Sequence, residues 1–183
     1  INKLPLLFSI PIAIAVHLLF INLLTDSMPA IAIGMEKSNG NLLMEKPRGR
    51  NESILNKELL KIVAFEGIII SIFTIISFYG GNPHLNPKAA STMAFSTLTL
   101  ARLFHGFNCR GKKSIFKLGF GTNPYSLYAF GAGALLLGLV IFIPGLHRLF
   151  QVQSMPVVSL LQVAVLAFIP TLMIQMKRLI CKK

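Results

Sequence analysis

Apolar residues gather in five stretches, roughly 11–33, 60–79, 90–107, 125–144 and 156–176. Each is close to the twenty or so residues that a helix needs to cross a hydrocarbon core. The segments between them are of a different kind: "EKSNGNLLMEKPRGRNESILNKE" is polar, "GGNPHLNPK" and "PGLHRLFQVQSMP" are broken by proline, and "NCRGKKSIFKLGFGTNP" is basic and rich in glycine. The pattern predicts an all-α fold, a polytopic transmembrane helix bundle of five spans in contact with membrane lipid, with residues 1–183 forming one membrane domain.

Composition agrees with this, since 54% of the 183 residues are apolar and only 13% charged, a balance unlike that of soluble domains. The net charge of +12 could suggest a nucleic-acid partner, but the basic residues sit in short clusters between apolar runs and form no continuous basic face. No nucleic acid is therefore expected. The first and third connections and the C-terminal tail, counting Lys61 at a span edge, hold 14 Lys and Arg, whereas the N-terminus and the other two connections hold 3. By the positive-inside bias the C-terminus is cytoplasmic, and five spans then leave the N-terminus outside. A chain that opens at Ile1 on the far side, without a basic leader, is expected to be the C-terminal part of a longer protein.

The first span carries the most unusual chemistry. Asn22, Thr25 and Asp26 stand at i, i+3 and i+4, so on a helix their oxygens share one face. Pro29 has no N–H for the carbonyl of Thr25, four residues earlier, and its ring crowds that carbonyl; a kinked or unwound helix is expected, with a backbone oxygen freed. Oxygen ligands of this kind could replace the hydration shell of a transported cation. Polar residues also glue helices together, and Asp26 could pair with a buried base. An intramembrane carboxylate is costly enough, however, to mark a functional candidate.

The third span is rich in hydroxyls, with Ser91, Thr92, Ser96, Thr97 and Thr99, and is expected to face its neighbours and not lipid. Glu66 lies about 9 Å from the start of its span at the helical rise and is expected to pair near the cytoplasmic interface. His17 and His105 read as structural. Ala129/Gly133 and Ala134/Gly138 place small residues four apart and predict close helix packing. Cys109 and Cys181 lack the spacing of a zinc or redox motif.

"INLLTDSMPAIAIG" resembles the sixth transmembrane helix of P-type cation-transporting ATPases, above all calcium pumps, whose pattern is roughly VNLVTDGLPATALG; Asn22, Thr25, Asp26 and Pro29 fall in register. "MEKPRGRNESIL" resembles the cytoplasmic connection that follows, and "TMAFSTLTLARLFHGFNCR" the eighth helix of bacterial calcium-type members. The resemblance implies helices six to ten of a ten-helix transport domain, with Asn22, Thr25 and Asp26 as metal ligands in a site completed by the upstream half of the same pump. It implies Ca2+ as the transported ion, exported from the cytoplasm, and a bacterial plasma membrane location. The family's DKTGT and TGES motifs and its nucleotide domain are not among these residues, so ATP and Mg2+ would act only through upstream domains and this part alone cannot hydrolyse ATP.

Arg102 departs from the family pattern, because it aligns where animal intracellular calcium pumps carry an acidic ligand. That predicts one ion per cycle, with Arg102 as a counter-charge near Asp26; the alternative is an arginine that snorkels to the cytoplasmic side. Mn2+ or a monovalent cation is the alternative cargo. A truncated, non-enzymatic membrane protein that binds cations or modulates a pump is the alternative function.

Overall fold

The computed structural model describes residues 15–36, 56–111, 114–115 and 119–180, without the side chains of Leu24, Thr25, Asp26 and Phe120. The described residues are helical, with no strand among them. Helix α1 covers residues 15–34, as α-helical residues 15–21, a π-helical segment Asn22–Ser27 and an α-helical segment Met28–Gly34. It is followed by α2 (Lys57–Gly80), α3 (Pro87–Asn108), a 3-10 turn (Phe120–Thr122), α4 (Pro124–Phe142), α5 (Pro144–Phe150) and α6 (Val157–Ile180).

Three helix starts share one local device. Asn56, Asn86 and Asn123 each stand just before a helix, and each side-chain oxygen accepts a bond from a first-turn amide: Leu59 at 2.7 Å, Ala89 at 3.0 Å and Tyr125 at 3.1 Å. Pro87 and Pro124 follow two of these caps at the first helical position, where the missing N–H is harmless and φ is already set. The caps move the starts of the second and third helices three residues ahead of the apolar runs that announce them.

The five expected spans survive in part. Lys57–Gly80, Pro124–Phe142 and Val157–Ile180 are long and apolar enough to cross a membrane. Helix α3 is long enough but its hydroxyl-rich sequence is not apolar enough, and α1 is divided by its π-helical segment. The stretch after Phe142 also differs from the single connection expected there: Ile143 turns to an extended conformation ahead of Pro144, and α5 begins at that proline.

Helix α3 is the hub of the bundle, packing against α1, α2, α4 and α6. Of the five hydroxyl residues expected to face neighbouring helices, Ser91 is exposed, whereas Thr92, Ser96, Thr97 and Thr99 are fully buried. Their hydroxyls are satisfied without water. Thr92 donates to the Lys88 carbonyl (2.7 Å), Ser96 to that of Thr92 (2.7 Å) and Thr99 to that of Phe95 (2.8 Å), while Thr97 shares a 2.6 Å bond with Ser77 of α2. Around this column lies an apolar cluster that includes Ile21, Phe95, Leu137, Ile141, Phe150 and Val163.

Two glycines set the closest approaches. A Cβ on Gly133 would lie 2.6 Å from Leu103 Cδ2, so the Ala129/Gly133 pair packs α4 onto α3; Ala134 and Gly138 are only half-buried. A Cβ on Gly81 would lie 2.5 Å from the Ala90 Cα and 2.8 Å from the Ala90 nitrogen, which are backbone atoms. Gly81→Ala is therefore expected to push α2 and α3 apart and to cost about 1–3 kcal/mol. Thermal unfolding of the detergent-solubilised protein measures this, and an unchanged midpoint would contradict the close approach.

Candidate functional site

The residues singled out on the first span lie where its helix changes register. Asn22, Thr25 and Asp26 all fall in the π-helical segment Asn22–Ser27, with Pro29 one residue into the α-helix that resumes at Met28. The expected kink or unwinding takes the form of a widened turn, and the chain remains helical on both sides. Such π segments are uncommon and gather at functional sites. Asn22 is exposed, and the side chains of Thr25 and Asp26 lie outside the described set.

Helices α1 and α3 run parallel. His17, near the start of α1, stacks on Phe95 in the first half of α3 (4.4 Å between ring centroids), Pro29 lies against Gly106 further along both, and Glu36 bonds Arg110 beyond the end of both. Pro29 sits level with Gly106, whose Cβ would lie 3.3 Å from the proline ring. Arg102, half-buried, is one turn before Gly106 on the same face of α3.

Two polar networks lie at the end of the bundle where α1, α3 and α6 terminate. In the first, the Arg110 guanidinium, its side chain 0% exposed, grips Glu36 bidentately, with Nε to Oε2 and Nη2 to Oε1 both at 2.9 Å. Its remaining donors reach Thr122 Oγ1 (2.6 Å) and the Gly119 carbonyl (3.4 Å). Asn123 Nδ2 donates to Glu36 Oε2 and to the Ala32 carbonyl, each at 2.7 Å.

The second network joins α2, α3 and α6. Gln175 Oε1 accepts from Ser114 Oγ (2.8 Å) and the Ile115 amide (2.9 Å), and its Nε2 donates to Asn108 Oδ1. Arg178 donates to the carbonyls of Asn108 and Gly111 and, at 3.2 Å, to Glu66 Oε1, whose other oxygen lies 3.4 Å from His105 Nε2. Glu66 is thus paired, as its depth suggested, with a basic residue in the last turn of α6. Glu36, Asn123 and Gln175 drew no attention in the sequence, and Arg110 read only as a topology charge. The available signals were an acid placed just past a span and an Asn-Pro dipeptide after a glycine-rich turn.

The hydrogen bond from Arg110, helped by that from Asn123 and by the guanidinium charge, holds the Glu36 carboxyl below its ordinary value of 4.5 despite partial desolvation. A carboxylate with a depressed folded-state pKa stabilises fully above the unfolded value, and the gain is lost as pH falls through the folded value. The wild type is therefore expected to outlast Glu36→Gln in thermal unfolding above pH 4.5, with the gap closing in more acidic buffer. Curves that stay parallel through the acid range would mean that the pair does not stabilise the fold.

Residues 11–180 match the family model described as "Cation transporting ATPase, C-terminus". A calcium-transporting ATPase of Bacillus subtilis is 33% identical over 182 residues, covering 97% of this chain and 20% of that protein. Calcium-transporting ATPase 1 of Lactococcus lactis is 41% identical over 141 residues, covering 76% of this chain and 16% of its own length. A type 2C member 2 calcium-transporting ATPase of Rattus norvegicus is 31% identical over 157 residues, covering 84% and 16% respectively. The chain spans no more than a fifth of the length of these relatives. On sequence match, apolar helices and helical architecture together, the chain belongs to the P-type cation-transporting ATPase family, within its C-terminal membrane region.

Proposed function

We propose that this chain supplies the C-terminal membrane half of an ATP-driven pump that exports Ca2+ from the cytoplasm, with Asn22, Thr25 and Asp26 contributing ligands to the ion. The observation that carries this reading is the π-helical segment Asn22–Ser27, which coincides with the one cluster of hard oxygen ligands in an otherwise apolar span. A widened turn loosens the backbone carbonyls at the depth where a dehydrated cation needs them. Calcium as cargo is supported by the names of the relatives. The rest of the ion site, the phosphorylation chemistry and the binding of ATP with Mg2+ belong to upstream parts of the same pump.

Asp26 provides charge that Asn22 and Thr25 cannot. Its carboxylate would offset the loss of hydration when Ca2+ enters the low-dielectric interior. In the full-length polypeptide, reconstituted in vesicles, Asp26→Asn is expected to abolish ATP-driven Ca2+ uptake. Retained uptake would remove Asp26 from the ligand set.

Arg102 fits the role of counter-charge by register. With Pro29 level with Gly106, one turn back along two parallel helices brings Arg102 to the level of Thr25. A guanidinium there repels a second cation and balances Asp26 in the ion-free state. A single ion per cycle follows. Arg102→Ala is expected to change the ratio of Ca2+ moved to ATP hydrolysed or the pH dependence of uptake, and no change in either would return Arg102 to a role at the membrane surface.

A further inference from the structure

Helix α1 is held at both ends and widened between them. Near its start, His17 Nε2 is hydrogen-bonded to the Phe150 carbonyl and the ring stacks on Phe95. At its C-terminal end the hold is on the backbone itself. The Glu36 amide bonds the Ile33 carbonyl at 3.0 Å and the Met35 amide that of Ile31 at 3.2 Å. The Ala32 carbonyl, one of the last-turn acceptors that a helix leaves open, instead accepts from Asn123 Nδ2 at 2.7 Å.

The same Asn123 caps α4 through its Oδ1 and holds Glu36 through its Nδ2. Arg110, fixed by the Thr122 hydroxyl and the Gly119 carbonyl, supplies the second arm. We infer that Glu36, Arg110 and Asn123 are positioning residues for the ion motif, fixing the axial register of residues 28–36 and through it the rotation of Asn22–Ser27 toward the ion. The inference rests on the functional reading above. Its physical content is the steepness of helical geometry: a slip of one residue moves the helix by about 1.5 Å and turns every side chain by about 100°.

A bidentate guanidinium–carboxylate pair tolerates little of such a slip, because both of its bonds depend on a common plane. A single long bond from a lysine would allow it. The clamp thus holds the α-helical segment after the π turn in one register, and with His17 seated at the other end it confines Asn22–Ser27 between two fixed points.

The test uses the full-length polypeptide in vesicles, with ATP-driven Ca2+ uptake titrated against free Ca2+. Glu36→Gln and Arg110→Lys are expected to raise the half-saturating Ca2+ concentration about tenfold while leaving maximal uptake within about twofold, the signature of misplaced ligands. Asn123→Asp keeps the cap oxygen and loses the donor to Ala32 and Glu36, so it should have the same effect although α4 remains capped. Exchanging the charges, Glu36→Arg with Arg110→Glu, should recover most of the affinity lost in either single variant. If either single variant does not fold, Asn123→Asp and the exchanged pair decide. Folded variants with unchanged half-saturation, or with maximal uptake lost and half-saturation kept, would overturn the inference. Asp26→Asn run alongside separates the two readings: uptake that survives it defeats the ligand assignment, whereas uptake lost there with unaltered half-saturation in the clamp variants defeats the clamp alone.

Discussion

Everything in this bundle depends on where the polar groups of α3 find partners. In a membrane interior an unmet hydroxyl or amide has no water to turn to, and the cost is of the same order as the gain from a well-packed side chain. Helix α3 meets the requirement in two ways. Its mid-helix hydroxyls bond the carbonyls of its own preceding turn, or Ser77 of α2, and its C-terminal end hands Asn108 to Gln175 and Arg178 of α6. A helix too polar to face lipid therefore becomes the axis around which apolar helices assemble.

That solution explains how much could be read from the sequence. The apolar runs place the helices because the solvent they displace is uniform hydrocarbon, and burial of Thr92, Ser96, Thr97 and Thr99 follows from their abundance in one span. The motif Asn22, Thr25, Asp26 and Pro29 was legible for the same reason, since each of these residues is expensive or disruptive where it stands. The π geometry of Asn22–Ser27 was not, because a proline requires only that a hydrogen bond be lost and leaves open how the helix accommodates the loss. The partners of Glu36 and Arg110 were equally hidden. They are 74 residues apart, and nothing in the local pattern of either names the other.

The two networks at this end of the bundle are built from different chemistry. One is a planar ion pair whose arginine is sealed from solvent, and it fixes α1 against the start of α4. The other is a chain of amides and carbonyls ending in Arg178 and Glu66, and it ties α6 to α2 and α3. The α1 contacts therefore bear on the polar π-helical segment, while the α6 contacts bear on the integrity of the bundle that carries it. Lys177 beside Arg178 lies 3.6 Å over the Phe65 ring, so even the basic last turn of α6 is seated on α2.

Asn123 carries a consequence for the order in which the chain is made. The Ala32 carbonyl waits for a side chain 91 positions later, and Glu36 for an arginine that itself needs Thr122. While the ribosome is still delivering α2 and α3 to the membrane, the first helix has no fixed lower end and its polar motif has no settled depth. Asn123, which stands just before α4, completes the seat of α1, so the lower end of the first helix is closed only once the chain has been made as far as the start of the fourth.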